Sequence, residues 1–371
     1  MHLEDEVGTD EQPGTKPKII LFWNNWNPSM GDTPLIEGLC PVTSCMFTPD
    51  QSLFNYSDVV LFFHNINGTS VPSLPRHRQH HQRFVFAIDT IQHSNKSNIN
   101  LLNSLFDDNR TRYNFFNWTM TYRRDSDAVL RQHLGAIEPI TSVNSIKSKN
   151  KAKKMAPSSF WMKKKSVIAQ TISRDGLKTK LIAWNPSRCS TEIHREDYVN
   201  QLRRYVPVDI YGHCGSGNLS CGNSGNCEDV FRSGYKFYLA FEESWCPDYV
   251  TAEFYQALQY DTVPVVLGGA DYEALAPPHS FINALDFSSV KALAEYLLLL
   301  NRTDELYAKY FSWKESYKIN LEPMGGWCDL CRIAHNVNSP AKVYSDIKKW
   351  WEVDGKCEYD STQYFTELSY L

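Results

Sequence analysis

Short, almost wholly apolar runs recur along this chain at spacings that leave room for a helix between them. "KIILFW" (Lys18 to Trp23), "SDVVLFFHN" (Ser57 to Asn65) and "RFVFAID" (Arg83 to Asp89) share the pattern. Each is too short for a buried helix, and longer mixed segments separate them. Strands buried on both faces read this way, so the pattern predicts a parallel sheet with helical crossovers. A second alternation starts at "KTKLIAWNPSRC" (Lys178 to Cys189). It continues through a helix and strand in "EDYVNQLRRYVPVDIYG", a strand in "KFYLAFE", a helix in "TAEFYQALQY" and a strand in "TVPVVLGG", and on through "SFINALDF" and "SVKALAEYLLLL". Between the two, Ile146 to Lys165 carries eight lysines and no acidic residue, a solvated linker or a basic docking arm. The expected order is a polar tail at 1–17, a first doubly wound domain at 18–145, a basic linker at 146–177, a second such domain at 178–320, and a C-terminal segment at 321–371 returning to the first. A chain of 371 residues that is 42% hydrophobic can fill two such cores.

The net charge of −4 gives no reason to expect a nucleic-acid partner. No run of 18 apolar residues is present, so no membrane helix is expected within these residues. Met1 to Lys18 is polar and acidic, without the basic start and apolar stretch of a signal peptide. Ten cysteines and seven Asn-x-Ser/Thr sequons nevertheless argue for an oxidising, glycosylating compartment. The sequons start at Asn55, Asn67, Asn95, Asn109, Asn117, Asn218 and Asn301. Cys328 and Cys331 form a Cys-x-x-Cys that Cys40 and Cys45 could complete as a zinc site, and the pair could also serve redox chemistry. Two disulfides joining these segments are the preferred reading. Cys189 and Cys246 each follow a predicted strand and are expected to pair.

"YKFYLAFEESWCPDYVTAEFYQAL" (Tyr235 to Leu258) reads as a buried strand, a loop and a helix start. A strand end facing a helix N-terminus suits an anionic ligand. Yet the loop and first helical turn hold Glu242, Glu243, Asp248 and Glu253, and neither lysine nor arginine.

The same stretch resembles the donor motif of the α1,3/α1,4-fucosyltransferases, which runs approximately Tyr-Lys-Phe-x-Leu-x-Phe-Glu-Asn-Ser-x-Cys-x-Asp-Tyr-Val-Thr-Glu-Lys. "FNWTMTYRRDSD", "KLIAWNPSRC", "VDIYGHCG", "VPVVLGGADY", "PPHSFINALDF" and "YFSWK" match further family segments in order, and the likeness covers Ile19 to Trp351. It implies a GT-B fold, two Rossmann-like domains facing a cleft. The first would take the acceptor glycan and the second GDP-fucose. It also implies a type II Golgi membrane protein facing the lumen, whose expected anchor this chain does not show. The implied reaction is inverting transfer of L-fucose to a GlcNAc-containing glycan, an N-glycan among them, with no required cofactor.

The resemblance implies roles residue by residue. Asp89 and His93, in "DTIQH", match the family's catalytic Glu-Ser-Pro-x-His, with Asp89 one methylene short as the general base. Arg195 matches an arginine that meets the nucleotide, although it could instead pair with Glu196 or Asp197 on a helix surface. Tyr249 matches the donor-loop tyrosine. Ala252 and Glu253 stand where the family has Glu-Lys, and Glu243 where it has Asn. Such a change reverses a charge beside an anion, where one contact carries roughly 4 kcal/mol before desolvation and screening. Arg188 stands where the family has Asn and could restore the missing cation; Arg188→Asn should then abolish GDP affinity. Carboxylates in this loop could instead hold Mn2+ over the diphosphate. A weak or inactive relative that binds glycan or a partner is the alternative.

Overall fold

A computed structural model describes residues 16–24, 31–63, 74–88, 106–130, 135–140, 178–191, 193–215, 219, 221, 227–321, 324–336 and 342–357. The basic stretch 146–177 lies outside the described residues. Backbone contacts divide the chain into two compact units, one of residues 1–133 with 322–357 and one of residues 134–321 with 358–371.

The first unit is a six-stranded parallel sheet. Its strands are β1 (Lys18–Phe22), β2 (Cys45–Thr48), β3 (Val59–Phe63), β4 (Arg83–Ile88), β5 (Trp118–Thr121) and β6 (Ala128–Val129), in the order β2-β1-β3-β4-β5-β6. Ile20, Leu61, Val85 and Met120 are all essentially inaccessible to solvent. They project to one face, where Trp327, Leu330 and Cys331 of the helix Gly325–His335 cover them. Gly326 makes that approach possible, because a Cβ there would lie 2.7 Å from the carbonyl oxygen of Val129. The segment after the helix is tied down by charge as well as packing. Arg112 forms a fork on Asp346, with the closer contact at 2.7 Å, and Lys342 reaches Asp127 at 2.7 Å. The guanidinium of Arg123 sits 4.1 Å over the ring of Trp350.

The second unit holds a five-stranded parallel sheet of β8 (Lys180–Trp184), β9 (Val208–Ile210), β10 (Tyr235–Phe241), β11 (Val263–Leu267) and β12 (Ile282–Asn283), in the order β12-β11-β10-β8-β9. A separate antiparallel ribbon pairs β7 (Ala136–Pro139) with β13 (Tyr317–Asn320). Residues 134–140 thus group with this unit rather than with the first domain that the sequence expectation ran to 145. All seven residues of β10 are buried. Phe237, Leu239 and Phe241 face one layer, and Tyr238 and Ala240 the other, the two-residue period of a strand covered on both sides. Three helices matter below: α1 (Arg195–Leu202), α2 (Ala252–Gln259) and α3 (Val290–Arg302). The N-cap hydroxyl of α3, on Ser289, accepts the Ala292 N–H at 3.1 Å. Leu293, Leu297 and Leu300 lie along its buried stripe, each contributing roughly 1.5–3 kcal/mol by leaving water.

Both sheets begin with the connectivity that sends one early strand to each side of the first. The crevice at that switch lies beyond the strand C-termini, where such folds bind ligands. In the second unit it falls between β8 and β10.

All ten cysteines are disulfide-bonded. Cys40 pairs with Cys328 and Cys45 with Cys331. These bridges commit the sulfurs that a zinc site would need, although His335 lies beside the second. The expected Cys189–Cys246 pair does not form. Cys189 joins Cys214, because the turn Gly212–Cys214 after β9 brings the two Cα atoms to 5.0 Å.

The Cys40–Cys328 and Cys45–Cys331 bridges close nearly the same loop, 288 and 286 residues long. Either alone restricts the unfolded chain by roughly 5–6 kcal/mol, whereas the second then closes a ring of only about ten residues and adds about 2–3 kcal/mol. Chemical unfolding of the two double-alanine variants and the quadruple variant should show this. The quadruple variant should lose roughly 3 kcal/mol more than the sum of the two double variants.

Candidate functional site

The site grows out of two strand ends. β8 stops at Trp184 and leads into Ser187, Arg188 and Cys189; β10 stops at Phe241 and leads into Glu242 and Glu243. The chain then turns into α2, whose first residues are Ala252 and Glu253. α1 supplies the fourth wall. His194, its N-cap, takes a left-handed conformation (φ 53°), and Arg195 follows as the first helical residue.

Arg195 is 1% exposed, an unusual place for a guanidinium. One terminal nitrogen donates to the carbonyl of Phe241, and the other to Glu243 Oε1 at 3.0 Å. Its Nε donates to nothing in the structure. The group lies 5.7 Å from the Trp184 ring centroid. Pairing with the helix neighbours does not occur: Glu196 instead accepts from the backbone and hydroxyl of Thr191 at 3.1 and 3.0 Å, and Asp197 is exposed. Arg195 therefore bolts the start of α1 to the end of β10.

Glu243 is the hub of the positive groups. Besides Arg195, it accepts from the Ser187 hydroxyl and lies 3.9 Å from Arg188. Arg188 is half-buried on this same side of the site. The arginine proposed from sequence as a relocated cation thus sits beside Glu243.

Glu242 is 1% exposed. Its Oε1 accepts the backbone N–H of Thr251 at 2.9 Å and is within 3.4 Å of the Thr251 hydroxyl, closing the loop onto the start of α2. Its Oε2 has no partner. Burial raises its pKa to about 8, against the pull of the Thr251 hydrogen bond and with the added push of Glu253. The buried hydroxyl of Tyr272 is also unpartnered. Gly268 keeps this corner open: a Cβ there would lie 2.7 Å from the Tyr272 hydroxyl and 2.9 Å from Glu242 Cγ.

Glu253 does not lie out in solvent as a simple helix-dipole partner. Its Oε2 is buried and unpartnered. Burial raises its pKa to about 7; Arg195 opposes the shift and Glu243 reinforces it. The acidity legible in the sequence is therefore partly masked, since near pH 7 Glu242 favours its neutral form and Glu253 is close to half neutral.

Among the other residues singled out, Tyr249 is buried (6% exposed) in the loop before α2. Asp89 and His93 lie outside the described residues; β4 delivers the chain to that point, ending at the fully buried Ile88. Asn67, Asn95 and Asn218 are likewise outside the described residues. Asn55, Asn109 and Asn301 are exposed. Asn117 is buried, its oxygen accepting the Phe84 N–H at 2.9 Å and its nitrogen donating to the Lys342 carbonyl at 2.8 Å. Among the described residues, no cluster of three potential metal ligands includes Glu242, Glu243 or Glu253. Sequence reasoning missed Ser187, Trp184, Gly268 and Tyr272. The paired glycines of "VVLGG" were the one available signal, marking a close backbone approach. A separate cavity of about 550 Å³ beside β12 is lined by Phe281, Asn283, Asp286, Phe287, Tyr296 and Tyr310, and by none of the site residues above.

Residues 176–350 match the family profile "Glycosyltransferase family 10 (fucosyltransferase) C-term", and residues 15–133 match "Fucosyltransferase, N-terminal". The chain is 32% identical over 362 residues to glycoprotein 3-alpha-L-fucosyltransferase A of Drosophila melanogaster, covering 94% of this chain and 63% of that protein. It is 33% identical over 371 residues to alpha-(1,3)-fucosyltransferase C of the same organism, covering 94% of this chain and 81% of the relative. A crystal structure of an alpha1,3-fucosyltransferase with GDP-fucose superposes with a TM-score of 0.51 at 18% identity, covering 88% of this chain and 92% of that one. That likeness shows the shared GT-B fold.

The raised pKa of Glu242 carries a stability consequence with a definite sign. Its folded value of about 8 exceeds the ordinary glutamate value of 4.5. The folded state therefore holds an extra proton between those values. The associated stability is fully present below about pH 4.5 and is lost as pH rises through about 8. Glu242→Gln should stabilise the protein by on the order of 2–4 kcal/mol at pH 8 and by under about 1 kcal/mol at pH 5, read from denaturant unfolding.

Proposed function

The chain belongs to the glycosyltransferase family 10 fucosyltransferases, and from that premise we propose that it transfers L-fucose from GDP-fucose to a GlcNAc-containing glycan. The observation that carries the donor assignment is the buried Arg195, fixed at the switch point of the second unit with its Nε uncommitted. A guanidinium held there by Phe241 and Glu243 suits a diphosphate at low cost in side-chain entropy. Arg188 adds a second positive group on the same side, 3.9 Å from Glu243. The solved relative bound to GDP-fucose supports the choice of nucleotide.

The reaction we propose is a single inverting displacement. An acceptor hydroxyl attacks the fucose anomeric carbon from the face opposite GDP. The new C–O bond forms as the old one breaks, and the departing electron pair goes to the diphosphate. The hydroxyl proton passes to a carboxylate base, a role the resemblance assigns to Asp89 in the motif that also holds His93. Positive charge at the diphosphate lowers the barrier as that bond breaks. No metal is required in this reading. A Mn2+ bridge remains the competing account of an acidic donor loop. The other alternative, a non-catalytic glycan-binding or partner-binding relative, takes its ground from Ala252, Glu253, Glu243 and Asp89 together. Part of that ground weakens because burial pushes the Glu253 carboxyl up to about 7, so that it is close to half neutral at that pH.

The family resemblance, the ten cysteines in disulfides and the exposed sequons support action on the lumenal side of the Golgi, as a membrane-anchored glycoprotein.

Calorimetry of GDP binding, with and without Mn2+, tests the donor assignment. Metal-independent binding is expected, and binding only with Mn2+ would replace this reading with the bridged one. Arg195→Lys keeps the charge but loses the fork, and should lower kcat/KM for GDP-fucose on the order of a hundredfold. Arg188→Asn should weaken GDP by at least about tenfold, and unchanged affinity would remove Arg188 from the site.

Mass spectrometry of protein secreted from a glycosylating host should find glycan on Asn55, Asn109 and Asn301. Asn117 should be bare, because both ends of its amide are committed inside the fold.

A further inference from the structure

The first turn of α2 raises a problem that the donor assignment must solve. An anion at a helix N-terminus is favoured by the backbone, and an ionised carboxylate in that turn would repel it. Glu253 is the second residue of α2. The groups acting on it come from every neighbouring element: Arg195 from α1, Glu242 and Glu243 from the end of β10, and Tyr238 from within β10. Arg195 is committed to Glu243 and Phe241. Arg188 also lies on Glu243. Arg195 therefore only partly offsets the burial of Glu253, whose Oε2 is buried without a partner among the described residues. Helix-dipole stabilisation of an anion in the first turn is worth roughly 0.3–2 kcal/mol, and here burial outweighs it. A neutral carboxyl in this position has one O–H to give, and its Oε2 has no partner among the described residues. The acceptor that fits, at a helix N-terminus and near Arg195, is a phosphate oxygen.

We propose that Glu253 contacts the nucleotide diphosphate as a neutral carboxylic acid, donating its O–H to a phosphate oxygen, so that binding of the donor takes up a proton. This rests on the donor-site reading above and adds to it a proton that the site must hold. The charge reversal seen in the sequence then becomes an exchange of one hydrogen-bond donor for another. A site of this kind binds well while Glu253 is protonated and fails as that proton is lost. The carboxyl titrates at about 7, so affinity should fall toward tenfold for each pH unit above that value.

The test is calorimetry of GDP-fucose binding to the whole chain between about pH 6 and pH 8.5, in buffers of different ionisation enthalpy. GDP-fucose is the chosen probe because a terminal phosphate, titrating near pH 6, would contribute its own slope, and the diester diphosphate has no such group. The wild-type protein should take up close to one proton per site at pH 8 and lose affinity with rising pH. Glu253→Gln, neutral at every pH, should bind with little pH dependence and no uptake. Wild-type binding that is independent of pH, without uptake, overturns this inference and leaves the donor assignment standing. Uptake that survives Glu253→Gln and disappears in Glu242→Gln gives the proton to Glu242 and also overturns it. Failure of both the wild type and Glu253→Gln to bind GDP-fucose at any pH, in folded protein, overturns the donor assignment itself.

Discussion

The second unit is organised around one buried guanidinium. Arg195 costs a great deal to desolvate, and it is tolerated because its two terminal nitrogens meet the carbonyl of Phe241 and the carboxylate of Glu243. That fork fixes the start of α1 against the end of β10. Glu243 in turn gathers Ser187 and Arg188 from the end of β8. The strand ends, the helix start and the positive charge of the crevice thus depend on one ion pair. Removing Glu243 would leave the Arg195 guanidinium buried and unbalanced, a loss of several kcal/mol in comparable cases.

Much of this fold could be read from the chain. β1, β3, β4, β10 and β11 are buried on both faces, so their sequences are nearly pure apolar runs and hard to mistake. β2 escaped notice because it is short and only Cys45 and Phe47 in it are buried, and β5 because burial there includes polar atoms. Thr119 and Thr121 are fully buried in β5, yet their hydroxyls are satisfied by Tyr344 and Ser126. Local composition cannot reveal a partner more than two hundred residues away. The partner of Cys189 was misassigned for a related reason. β9 and β10 both flank β8, so strand order alone left two cysteines in competition, and a three-residue turn decided between them.

The candidate site was legible in outline and misleading in charge. Counting Glu242, Glu243, Asp248 and Glu253 as four negative charges made a phosphate site look closed. Formal charge assumes water around each carboxyl. Glu242 and Glu253 each keep an unpartnered oxygen inside the protein, where the neutral acid is the cheaper form. Gly268 shows the same limit from the other direction. Its meaning lies in the space between Glu242 and Tyr272; the paired glycines signal a close approach but not which groups meet there.

The arrangement of the chain has a consequence for how the protein is made. The first unit needs residues 322–357 to complete it, because the helix Gly325–His335 covers its sheet and carries Cys328 and Cys331. The ribosome delivers those residues only after the whole of the second sheet has emerged. The usual order, in which the N-terminal part folds first, is therefore reversed. The sheet that begins the sequence must wait with one face bare and Cys40 and Cys45 unpaired while the later sheet closes. During that interval it is a natural client for chaperones and for enzymes that sort disulfides.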